Sequence, residues 1–175
     1  MRAFIALELP EAFADEVARL ARVLGTTCAG RFVPAGSHHL TLAFLGEVDE
    51  AGTRAAMDAL EAACAGAGPV ALAPDGLGTF GSGRATTLWL GVRASDELVL
   101  LAARVRAELA ARGLAYDEKP FRPHVTLARR ARLPHAPLGD LAFPRPDEAR
   151  RVTLFRSILG PDGTRYKPLH TVELL

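Results

Sequence analysis

Hydrophobic positions fall into short segments that change period along the chain. Ala3-Phe4-Ile5-Ala6-Leu7-Glu8-Leu9 reads as a strand closed by Pro10. Phe13, Val17, Leu20 and Leu24 then recur at helical spacing, and Gly25 ends that run. Ala35-Gly36-Ser37 is a loop before a strand over 38–45. A second helix begins at Asp49, whose carboxylate is a natural N-cap, and buries Met57, Leu60 and Cys64 before Gly66. Strands are expected over 70–73 and 86–92, with the glycine-rich stretch Gly76–Gly83 between them as a connection. Ser95 caps a third helix with Leu98, Leu101, Val105 and Leu109 on its buried face. The last third reads as strands over 116–118, 124–129, 152–159 and 166–174. Four prolines interrupt 134–146, and Gly160-Pro161-Asp162-Gly163 turns the final hairpin. Strands and helices do not alternate regularly, which predicts an α+β fold with largely antiparallel sheets rather than a doubly wound one.

One repeat stands out. His39-Leu40-Thr41-Leu42-Ala43 is echoed by His124-Val125-Thr126-Leu127-Ala128, and 85 residues, about half the chain, separate the two histidines. Two such copies among five histidines arise by chance about once in a thousand shuffled sequences. Related half-domains within a single unit over 1–175 would explain that spacing. On a strand, His39, Thr41 and Ala43 share one face, while Leu40, Leu42 and Phe44 point to a core. His124 and Thr126 share a face in the same way. If a pseudo-two-fold relates the halves, an imidazole and a hydroxyl from each line one groove.

Composition narrows the chemistry. The chain has 175 residues, 49% hydrophobic and 23% charged, with a net charge of +1. That excludes a disordered chain and a strongly basic nucleic-acid coat. The longest apolar runs are far below the roughly 18 residues of a membrane span. Met1–Pro10 meets Glu8 too early for a secretory signal, and two cysteines make no disulfide framework, so a cytoplasmic setting is expected. His38 and His39 are neighbours that point to opposite strand faces, and no carboxylate or thiol sits near either motif at ligand spacing. No metal and no cofactor is therefore expected. Nineteen of the 21 basic residues are arginines, and Arg122, Arg129, Arg130 and Arg132 cluster after the second motif. Arginine binds phosphate oxygens in a bidentate fork. Two opposed imidazoles with pKa values near 6.5 can act as acid and base on one bond near neutrality. The residues thus point to metal-free phosphoester chemistry.

The paired motifs resemble the two-histidine phosphoesterase superfamily, and specifically its RNA 2′,3′-cyclic phosphodiesterase branch, historically called 2′-5′ RNA ligases. The resemblance extends over Met1–Leu7, His39–Gly46, Phe80 with Arg84, Leu88–Val92, Pro120–Arg129 and the closing hairpin from Ser157 to Leu174. It implies a bilobal α+β fold, two antiparallel sheets flanking a cleft with helices outside. It also implies hydrolysis of a terminal 2′,3′-cyclic phosphate to a 2′-phosphate without metal, on RNA ends or cyclic nucleotides; a monomer is expected. By motif position His39 would be the general acid and His124 the general base, with Thr41 and Thr126 on phosphate oxygens. Arg129 matches a family arginine. Strict alternation instead puts Arg130 on the His124 face, so both are carried as phosphate ligands, Arg129 first. Phe121 is a candidate stacking residue for a terminal base, and Tyr166 is read as packing in the hairpin. Alternatives are a 2′-5′ RNA ligase, another cyclic-nucleotide phosphodiesterase, or a non-catalytic binder of RNA ends.

Overall fold

The computed structural model describes residues 1–175. Its elements are β1 (Arg2–Glu8), α1 (Glu11–Leu24), β2 (Ala29–Phe32), β3 (His39–Glu47), α2 (Glu50–Cys64), β4 (Val70–Leu72), β5 (Pro74–Phe80), β6 (Thr87–Val92), α3 (Asp96–Ala111), β7 (His124–Arg132), β8 (Asp147–Ala149), β9 (Arg151–Gly160) and β10 (Gly163–Glu173). Two four-stranded sheets carry the fold, in the orders β10-β9-β1-β3 and β2-β7-β6-β5, with β4 and β8 as a small third pair. Every strand pair is antiparallel. The α+β architecture expected from the irregular element order is present.

The helices form where the apolar spacing places them. Phe13, Val17, Leu20 and Leu24 of α1 are all buried. The Asp49 carboxylate accepts from the Gly52 amide at 2.7 Å, and the Ser95 hydroxyl from the Leu98 amide at 3.3 Å. Both bonds satisfy amides that a helix start leaves orphaned. Helices α2 and α3 pack on each other; α2 also covers β9 and β10, and α3 covers β3 and β4. Buried residues of both sheets and all three helices join one continuous hydrophobic cluster.

The internal repeat extends from the motifs to the strands beside them. β3 pairs with β1 so that Ala43 faces Ile5, Thr41 faces Ala6, Leu40 faces Leu7 and His39 faces Glu8. β7 pairs with β6 so that Ala128 faces Leu88, Thr126 faces Trp89, Val125 faces Leu90 and His124 faces Gly91. Over these residues the register is the same in both pairs, and each skips one residue, Leu42 or Leu127; β3 skips a second, Leu45, further along. Each extra residue is a β-bulge, which reverses the inside-outside phase of the residues that follow it.

Three expectations are corrected. The glycine-rich stretch is strand β5 as far as Phe80 rather than a connection throughout. Gly78 makes room there: a Cβ on it would run into the Trp89 indole on the neighbouring strand. Residues 116–118 are irregular instead of a strand, tied to β3 by one bond from the Asp117 amide to the Phe44 carbonyl. Phe44, expected in the core, is 46% exposed, because the Leu42 bulge turns it outward and buries Leu45 instead. Short β2 and β8 have no hydrophobic signature of their own and form only by pairing with β7 and β4.

Gly78 yields a stability prediction. Gly78→Ala forces the Trp89 ring to move in a packed layer, a cost of roughly 1–3 kcal/mol. A lowered urea midpoint with an unchanged slope is the expected result. A wild-type midpoint would show that the indole has free space to retreat.

Candidate active site

His39 and His124 open their strands in the same way. Nδ1 of His39 lies 3.0 Å from the Ser37 carbonyl oxygen, and Nδ1 of His124 lies 2.6 Å from that of Arg122. In each case the acceptor is two residues upstream. A carbonyl can only accept, so each Nδ1 carries the proton and donates it. Each Nε2 is then left free as acceptor when the ring is neutral and as donor when it is charged.

Aromatic rings fix both imidazoles. Phe4 stacks on His39 at 4.8 Å between centroids, and Tyr166 stands edge-on to His39 at 5.1 Å. Ala6 lies opposite Thr41 between His39 and Phe4 along the pairing, and its single methyl lets the two rings meet. On the other side Phe80 meets His124 edge-on at 5.0 Å, and Trp89 tilts against it at 5.9 Å. Trp89 is the register equivalent of Ala6, so the two halves hold their histidines with different residues. Tyr166 packs in the hairpin as the sequence suggested and touches His39 as well.

Two adjoining cavities form the cleft. One, of about 910 Å³, is lined by His39; the other, of about 620 Å³, by Thr41, His124 and Thr126. Phe44 and Arg129 line both and mark where they join. Phe44 and Arg129 each sit five residues after a motif histidine, just past its bulge. The bulge at Leu127 decides between the two candidate arginines: Arg129 reaches the cleft, while Arg130 lines neither cavity. Arg130 has φ of 50°, next to Gly30 of β2, where a Cβ would lie 2.9 Å from the Ala131 Cα. Strict alternation fails there because the backbone is not a regular strand.

Phe121 lines the His124 cavity but is half-buried against the core, and the Arg106 guanidinium lies 5.9 Å from its ring centre. Arg106 is the residue the sequence did not single out. From α3 it donates to the Leu42 carbonyl at 3.4 Å and to the Lys119 carbonyl at 2.8 Å. It thereby joins the bulge of β3 to the segment that leads into His124. Its position inside an otherwise ordinary helix gives no signal of that reach.

Burial and charge set the resting protonation. Burial, then the Arg129 cation and the neighbouring His38 and His124, lower the His39 pKa to about 4, against the raising effect of the Ser37 bond. Burial first, and Arg129 after it, also lower the pKa of His124. Both rings are therefore neutral near pH 7 in the free protein. No group of three or more His, Cys, Asp or Glu side chains is arranged to hold a metal ion.

Two His-x-Thr strands lining one cleft in an α+β fold are the pattern of the two-histidine phosphoesterases. Within that class the chain belongs to the 2′-5′ RNA ligase superfamily, whose family model matches residues 9–153. It is 32% identical to the RNA 2′,3′-cyclic phosphodiesterase of Thermotoga maritima, over 99% of this chain and 95% of that one. It is also 32% identical to the Escherichia coli protein of the same name, over 96% and 93%. Among solved structures, apo LigT of E. coli superposes with a TM-score of 0.81 at 31% identity, covering 99% of this chain and 96% of that one. LigT in complex with 3′-AMP gives 0.78 at 29% identity, covering 99% and 96%. No helix is long and apolar enough to cross a membrane.

Proposed function

We propose that this protein hydrolyses the 2′,3′-cyclic phosphate at an RNA end to a 2′-phosphate, using His39 as general acid and His124 as general base. The observation that carries this reading is the matched pair of imidazoles, each with Nδ1 tied back to a carbonyl and Nε2 left for substrate. The names of the relatives supply the substrate class. His124 Nε2 takes a proton from water as its oxygen attacks phosphorus. The P–O3′ bond breaks, and His39 Nε2–H delivers its proton to O3′. Thr41 and Thr126 donate to non-bridging oxygens, and Arg129 offsets their negative charge. Nothing in these steps uses a metal ion. The protein acts as a monomer in the cytoplasm on this reading.

The resting charge state constrains the acid. A bare His39 with a pKa of about 4 is seldom protonated at neutral pH. A bound phosphate anion between Arg129 and the imidazole reverses the local sign and favours the imidazolium. The pH profiles follow. kcat/KM reports the free protein, where both histidines lie below 6.5, so its maximum is expected on the acid side of pH 6.5. kcat reports the complex and peaks at higher pH. Coincident maxima for the two parameters would show that the bound anion does not recharge the site.

The direct test is incubation of RNA ending in a 2′,3′-cyclic phosphate with the protein in EDTA, followed by analysis of the new end. A 2′-phosphate is expected. A 3′-phosphate, or activity abolished by EDTA and restored by a divalent ion, would overturn the mechanism.

A further inference from the structure

The acid and base roles fix where the rest of the RNA must lie. In an in-line displacement the attacking water and the departing O3′ are on opposite sides of phosphorus. If His124 activates the water and His39 protonates O3′, the ribose that keeps O3′ lies on the His39 side. The cavity there is the larger of the two, about 910 Å³ against 620 Å³. It is near the upper end of the roughly 300–1,000 Å³ that ligand pockets occupy.

The free charge in that cavity is positive. Arg2, Arg129 and Arg156 line it, and none of them has a carboxylate within ion-pair distance. Its acidic residues are engaged: Glu47 by the N-terminal amine at 3.0 Å and Asp117 by Lys119 at 3.8 Å. Arg2 and Phe4 alternate onto the same face of β1, which directs Arg2 beyond the ring that stacks on His39. The Ser157 backbone pairs with Arg2 on one side and Tyr166 on the other, so a cation, a hydroxyl and a phenol lie in one row across β1, β9 and β10.

Resting on the proposed reading of the site, we infer that this row is a subsite for the nucleotide immediately 5′ of the cyclic end. Arg2 meets the internucleotide phosphate, and the base of that nucleotide packs by Tyr166. The preferred substrate is then an oligonucleotide, and a lone cyclic mononucleotide leaves the subsite empty.

The experiment compares kcat/KM for a 2′,3′-cyclic mononucleotide with that for a dinucleotide bearing the same cyclic end. A charge-assisted phosphate contact predicts a preference for the dinucleotide of roughly ten- to a hundredfold. Replacing the internucleotide phosphate by a neutral methylphosphonate should remove most of that preference in the wild-type protein, so the result does not depend on how a variant folds. Arg2→Met should lower the dinucleotide-to-mononucleotide ratio towards one. Equal kcat/KM for the two natural substrates, or a preference that survives the neutral linkage, would overturn the subsite. If Phe121→Ala rather than Arg2→Met collapses the ratio, the chain leaves on the His124 side and the subsite is misplaced. No turnover of either substrate would instead defeat the proposed activity, an outcome distinct from the others.

Discussion

Alanine at His39 or at His124 is expected to lower turnover of cyclic-phosphate RNA about 10²–10⁴-fold, the range for losing one general acid or base. The double variant should be far less impaired than the product of the two singles, because the proton taken by His124 and the proton given by His39 move in one displacement and the two rings act as a unit. Thr41→Val and Thr126→Val each remove one hydroxyl donor, worth on the order of 1 kcal/mol, somewhat more toward a charged oxygen, and should cost less than either histidine. An activated aryl phosphodiester separates the roles, since its leaving group departs without a proton. His39→Ala should recover much of its deficit on that substrate, and His124→Ala should not. Rescue of His124→Ala would exchange the assignments. Full activity of both single variants on RNA would show that the two histidines are not the acid and base; a wild-type protein that binds such ends without turnover would leave a groove that only binds them.

Arg129→Met should cost about 10²–10³-fold in kcat, as expected for removing a fixed cation from a phosphoryl group that gains charge in the transition state. Arg130→Met should stay within about twofold, the usual scale of an exposed surface change. The two residues are adjacent and chemically identical, so the contrast tests the bulge at Leu127 itself. A second readout separates electrostatics from misfolding. The Arg129 cation lowers the pKa of both His39 and His124. Its removal should therefore move the kcat/KM maximum to higher pH. An unmoved profile, or equal losses at the two positions, would mean that Arg129 does not face the phosphate.

The residues differ in how far their place in the fold shows in the sequence. The helix stripes and the Asp49 and Ser95 caps follow from local rules, because a helix satisfies its own backbone and needs only a period and an end. The His-x-Thr-Leu-Ala repeat was likewise visible, since two copies half a chain apart need no structure to be counted. It led to the family and to four of the residues proposed to act. Strand β5 was hidden because its Gly78 answers to Trp89 on another strand, and short β2 and β8 exist only through their partners.

Periodicity and recurrence along the chain thus carry the fold class, the repeated motif and the pair of imidazoles. Which arginine lines the cleft, the turn of Phe44 from core to cleft, and the link that Arg106 makes between β3 and the segment before His124 emerge only from the fold. Each of those depends on a single extra residue in a strand or on a contact between distant segments. A bulge shifts the phase of a strand with no mark in its composition, because what is skipped is a hydrogen bond to a neighbour, and the neighbour is set by the fold.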